Sequence, residues 1–95
     1  MILTGPGTFT LRVVPGDCCA VEWASMSASQ PSFARVWVDD VLVEDACIGP
    51  YGSPHTWWSS SNGLLGRQPL RRTSILIIEL GDGVKFRIEG DLAQI

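Results

Sequence analysis

The side chains of this chain that could do chemistry are few. They are the single histidine His55, the cysteines Cys18, Cys19 and Cys47, and the carboxylates of Asp39, Asp40, Glu44 and Asp45. A thiol–imidazole pair needs an activated thiol within hydrogen-bond reach of the ring, with Asp45 as a residue that could orient it. No nucleophile elbow or other local catalytic setting surrounds these residues. Cysteine and histidine are also the ligand types of tetrahedral zinc. Cys18 and Cys19 are adjacent, however, whereas zinc sites usually space their cysteines by two to four residues. Neighbours on a strand also point to opposite sides. The acidic group lacks the spacing of a calcium loop. Gly81-Asp82-Gly83 lacks the lysine and the serine or threonine of a phosphate loop, and a strand-like segment follows it instead of a helix. No catalytic, cofactor-binding or metal-ligating residue is therefore assigned, no cofactor is expected, and an enzyme is the disfavoured reading.

The odd cysteine count allows at most one internal disulfide, unlike the paired framework of a small secreted domain. Reduced, structural cysteines are the expectation. Ten acidic and seven basic residues leave a net charge of −3. That balance argues against duplex nucleic acid, which needs a concentrated basic surface. Arg67, Arg71 and Arg72 form the one basic cluster and read as a charged loop end. The first seven residues lack the basic and apolar regions of a signal peptide. The longest apolar run, Ile75-Leu76-Ile77-Ile78, is far below the roughly 20 residues of a membrane span. These observations lead us to expect a soluble, cytoplasmic protein with no membrane partner.

The elements that would position these residues are strands. Ninety-five residues suit one domain spanning 1–95, with a modest core. Thr8 to Val14 alternates, with Phe9, Leu11 and Val13 on one side. Pro15-Gly16-Asp17 then supplies a turn into a second strand from Cys18 to about Ala24, with Cys19, Val21 and Trp23 on its apolar side; the two are expected to form a hairpin. Ser25 to Ser32 reads as a connection with room for a brief helical turn.

In Phe33 to Asp45, a two-residue turn at Asp39-Asp40 would pair Val38 with Val41, Trp37 with Leu42, Val36 with Val43 and Arg35 with Glu44. Near the C-terminus, strands over 73–80 and 84–90 flank Gly81-Asp82-Gly83. A three-residue hairpin loop there would pair Leu80 with Val84, Ile78 with Phe86 and Leu76 with Ile88. Ile75 and Ile77 stay apolar on the outer face of that hairpin. Strand 73–80 is thus either covered on both sides or meets another subunit.

The fold class is all-β: a small antiparallel β-sandwich or partly open β-barrel of about six strands, with a long Trp-containing loop over 46–72. Loops of that length in a small domain are functional or flexible. Three readings compete for Tyr51, His55, Trp57 and Trp58. A tryptophan seals an open end of the core; the aromatics anchor a protein interface, where such residues dominate binding; or they form a carbohydrate platform with polar contacts from Asp45, Asn62 and Arg67. Part of the loop, His55 to Ser60, could add a short strand. The expected function is a non-enzymatic protein-interaction or structural module that self-associates as a homo-oligomer. The interaction candidates are Tyr51, His55, Trp57, Trp58, Ile75 and Ile77. The alternative is a small-ligand or carbohydrate-binding module using the loop aromatics.

Overall fold

The computed structural model describes residues 1–14, 23–48, 55–58 and 74–95. Among them lie nine strands and no helix: β1 (Ile2–Thr4), β2 (Gly7–Val13), β3 (Trp23–Ala28), β4 (Ser32–Val38), β5 (Val41–Ile48), β6 (His55–Trp58), β7 (Ile75–Leu80), β8 (Val84–Glu89) and β9 (Leu92–Gln94). They form two antiparallel sheets, one of four strands in the order β1-β8-β3-β6 and one of five in the order β5-β4-β7-β2-β9. The count exceeds the expected six because β1, β6 and β9 are short edge strands, and three or four residues display little periodicity.

Both sheets contribute to one core. Leu3, Ala24, Met26, Val84, Phe86 and Ile88 come from the smaller sheet. Leu11, Val36, Val38, Val43, Leu76, Ile78 and Leu80 are among those from the larger. Alternation dictates this partition: in β8, Val84, Phe86 and Ile88 are buried while Lys85 and Arg87 are exposed. Burying such large side chains supplies the main drive to bring the sheets together, each worth about 1.5–3 kcal/mol.

The C-terminal strands have nearly the expected bounds but not the expected partnership. β7 pairs with β2 and β4, whereas β8 pairs with β1 and β3. Gly81-Asp82-Gly83 therefore carries the chain from one sheet to the other and does not close a hairpin. Leu76, Ile78 and Leu80 belong to one layer of the core, and Val84, Phe86 and Ile88 to the other. A hairpin would bury the same six residues, so alternation cannot tell the two connections apart.

The connection is built on close backbone approach. Gly81 N–H donates to the Phe33 carbonyl at 2.9 Å, and a Cβ on Gly81 would meet Ser32 Oγ and lie 2.8 Å from the Phe33 ring. Gly83 takes φ 79°, the left-handed region that glycine enters most readily, and its carbonyl accepts from Ser29 N–H at 3.1 Å.

Two N-terminal expectations are also revised. β2 and β3 lie in different sheets, so they are not a hairpin pair; residues 18–22 of the expected second strand lie outside the described residues. The expected connection over 25–32 is instead occupied through Ala28 by β3, which is hydrogen-bonded between β8 and β6. Ala24 and Met26 are buried members of this strand, whereas Cys19 and Val21, expected on the apolar side, lie outside the described residues. Serine and alanine have little strand preference of their own, and here two neighbouring strands override it.

No helix among the described residues is long and apolar enough to cross a membrane.

Candidate functional site

The outer face of the five-stranded sheet is built by register. The β4–β5 hairpin turns at Asp39-Asp40, with φ 49° and 66°. Positive φ at both central residues belongs to the two-residue turn whose twist suits a hairpin. Aspartate tolerates this conformation better than most side chains. Asp39 is further held in place: its carboxylate accepts from Ser74 Oγ at 2.9 Å and Ile75 N–H at 2.9 Å, while its own N–H donates to the Ile75 carbonyl at 3.0 Å. Ser74 is fully buried, and this hydrogen bond satisfies its hydroxyl.

From that turn the expected pairs Val38–Val41 and Trp37–Leu42 form, and then the register slips between Val36 and Trp37. Val36 aligns with Glu44 and Arg35 with Asp45, in place of the expected Val36–Val43 and Arg35–Glu44 pairs. The extra residue lets Val43 bury completely while Asp45 reaches the outer face. Three rows of side chains result, because directly paired residues share a face. The central row crosses four strands: Leu42 on β5, Trp37 on β4, Ile77 on β7 and Thr10 on β2. Leu42 is 45 % exposed, and Trp37 and Ile77 are half-buried.

On one side runs a polar row, Asp45, Arg35, Glu79 and Thr8. The Arg35 guanidinium meets Glu79 at 2.8 Å and Asp45 at 3.3 Å, and lies 4.6 Å from the centre of the Phe33 ring. The hydrogen bond it donates to Glu79, foremost, and the charge of Asp45 raise the Arg35 pKa above its ordinary value. On the other side are Ile75, 36 % exposed, and its partner Arg12, which is exposed and has no ion-pair partner among the described residues.

Across the central row lies an open groove of about 310 Å³ lined by Thr8, Trp37, Asp40, Ile77 and Glu79. Its floor is aromatic and aliphatic, and a carboxylate stands near each end. The face thus offers apolar area, a planar ring and hydrogen-bonding groups. It holds no cysteine–histidine pair: Cys47, an exposed free thiol, is on β5, while His55 belongs to β6 of the other sheet.

Of the expected interaction residues, Ile75 and Ile77 meet on this face. β7 is the central strand of its sheet, hydrogen-bonded on both edges, yet both isoleucines keep some exposure. His55, Trp57 and Trp58 fall on β6 within the segment expected to add a strand, with His55 opposite Met26, Trp57 opposite Ala24 and Trp58 opposite Trp23. Tyr51, Asn62 and Arg67 lie outside the described residues, as does most of the 46–72 loop. Sequence reasoning missed Trp37 and Leu42 as surface residues of interest. Their pairing across Asp39-Asp40 was legible; that Ile77 would continue their row was not.

No known family model, curated protein or solved structure matches the chain.

Proposed function

We propose that this protein is a non-enzymatic interaction module that self-associates through the outer face of its five-stranded sheet. The row Leu42–Trp37–Ile77–Thr10, continuous over four strands, with the polar row Asp45–Arg35–Glu79–Thr8 on one side and Ile75 and Arg12 on the other, carries the reading. Interfaces favour an arrangement in which aromatic and aliphatic side chains sit centrally and charges form the rim. The low charged fraction of 18 % agrees with a surface that is partly covered in use.

The rival route, edge-to-edge pairing through β5, is discouraged by the protein's own charges. Glu44 and Asp45 lie on that strand and β5 has no basic residue, so two antiparallel copies would bring acids together. The bulge at Val43 disturbs the same edge. Face-to-face contact then makes each module two sheets thick, and we read those sheets as the layers of a sandwich. The exposed thiol of Cys47 suits a reducing cytosolic setting.

Four strands spaced by about 4.8 Å, each contributing about five residues, present on the order of 300–400 Å² per copy. This is below the roughly 800 Å² per partner of a stable interface, so the association is weak and reversible. Sedimentation velocity from micromolar to high-micromolar concentration tests it. A rising weight-average sedimentation coefficient is expected, abolished by Ile77→Lys; a strict monomer throughout would remove the reading.

A second reading, a small-ligand or carbohydrate site, is favoured by the groove over Trp37. An indole face with Thr8, Asp40 and Glu79 around it suits a ring bearing hydroxyl groups. This differs from a site built on the loop aromatics Tyr51, Trp57 and Trp58. Saturable quenching of tryptophan fluorescence by a glycan, lost in Trp37→Ala, would support it.

A further inference from the structure

We propose that the groove over Trp37 binds an alkylammonium ion, the head of a free aliphatic amine or of a lysine side chain. The proposal rests on the ligand reading of that groove, names the class of ligand, and is independent of self-association.

The lining selects the class. Trp37 and Ile77 supply an aromatic and an aliphatic surface, Thr8 a hydroxyl, and Asp40 and Glu79 carboxylates. Among the described residues, no cationic side chain lines it. A carboxylate only accepts hydrogen bonds, whereas an ammonium only donates them and has no acceptor. The indole adds attraction, because the face of the ring is negative. A neutral sugar meets some of the same acceptors but leaves the charge unanswered.

The two carboxylates are not equivalent. Glu79 Oε1 accepts from Arg35 at 2.8 Å, so its charge is already balanced within the fold. Asp40 is exposed, and its carboxylate has neither a hydrogen bond nor an ion pair among the described residues. Its backbone sits at φ 66°, where glycine is favoured. Asp39, at φ 49°, has a reason to be aspartate in its hydrogen bonds to Ser74 and Ile75. No such bond holds Asp40 among the described residues. A side chain kept in a disfavoured backbone conformation without an internal contact marks a role toward a ligand.

Register fixes how the ligand lies. Asp39 N–H is bonded to the Ile75 carbonyl, which sets the turn level with Ile75, four residues along β7 from Glu79. At about 3.3 Å per residue, the two ends of the groove are about 13 Å apart, with Trp37 and Ile77 between them. An ammonium at Asp40 is then farther than the Debye length of roughly 8 Å from the Arg35–Glu79 pair, so repulsion from Arg35 is screened. The alkyl stem runs along Trp37 and Ile77 toward Thr8. The volume of about 310 Å³ is at the small end of the roughly 300–1,000 Å³ of ligand sites and fits one such chain.

The test follows the indole N–H signal of Trp37, assigned with Trp37→Phe, in proton–nitrogen correlation spectra of the full chain. Protein concentration is kept low, because copies meeting face to face would cover the groove. The probes are n-butylammonium and a lysine capped at both ends, with n-butanol and a methyl glucoside as neutral controls. n-Butylammonium should shift the signal saturably with a Kd on the order of 1 mM, as suits an open site, and added salt should weaken it. Asp40→Asn keeps the shape and tolerates positive φ, and it should weaken binding about tenfold. The same spectra report that the variant is folded. Binding of the capped lysine as well identifies a peptide side chain as the source; binding of the free amine alone identifies a small molecule. Either result supports the site.

n-Butanol matching n-butylammonium, or Asp40→Asn leaving ammonium binding unchanged, overturns the proposal. Shifts caused by the glucoside alone overturn it and leave the ligand reading standing. No shift from any probe removes both.

Discussion

Gly81 and Asp40 show how single residues direct this chain. At Gly81 the constraint is space: the nearest atoms to an added Cβ include the Phe33 ring carbons at 2.8 and 2.9 Å. Gly81→Ala should therefore cost about 1–3 kcal/mol, the usual penalty of overpacking, as a drop in the urea midpoint. If the segment were an open hairpin loop, the same change would cost little. At Asp40 the constraint is backbone angle. Its φ of 66° suits glycine better, so Asp40→Gly should keep or raise stability by up to about 1 kcal/mol in the same measurement. Asp39 behaves differently, because its carboxylate holds Ser74 and Ile75. Asp39→Ala should lose about 1–3 kcal/mol.

Arg35 adds a statement about pH. Its pKa is raised by Glu79 and then Asp45, so its contribution is fully present below the ordinary arginine value and is lost only as pH rises through the raised one. Arg35 itself should therefore add no slope to stability across the neutral range, as chemical denaturation of the unaltered protein and Arg35→Met would show by parallel profiles there.

At the scale of elements, the bulge in β5 and the cross-sheet connection after β7 are the decisive features. The bulge reconciles two demands that a regular hairpin could not meet together: Val43 in the core and Asp45 beside Arg35. The connection makes β7 and β8 interior strands of different sheets, and so places Phe86 in the shared core as a fully buried side chain. Phe86→Ala should cost about 3–5 kcal/mol, a large part of a small domain's stability, and thermal unfolding would report it. Amide exchange offers a second check. The β7 amides, hydrogen-bonded between β2 and β4, should outlast those of the edge strand β9.

For the whole molecule, the outer face of the larger sheet couples fold to proposed function. Its apolar row depends on strand order, since Leu42, Trp37, Ile77 and Thr10 come from four different strands, two of them far from the others in sequence. Leu42→Glu should weaken self-association while leaving stability within about 0.5 kcal/mol, because the residue is exposed. Sedimentation velocity and denaturation on the same sample would separate the two effects.

The sequence by itself determined the all-β class, the strands that meet at Asp39-Asp40, the near bounds of those flanking Gly81-Asp82-Gly83, and the inward set of β7 and β8, while β5 runs on to Ile48, three residues into the segment expected to be loop. These are local matters: a two-residue period and turn chemistry are written in neighbouring side chains. It also marked Ile75 and Ile77 as apolar where a simple hairpin would face water. The tertiary structure decided which sheet each strand joins, the register beyond Trp37 and the burial phase of the serine-rich β3. Hydrogen-bond partners far along the chain and the filling of a common core select among arrangements that satisfy the same alternation. The candidate face could therefore be read from sequence only as separate pieces, Trp37 with Leu42 and Ile75 with Ile77; placing β7 beside β4 joined them.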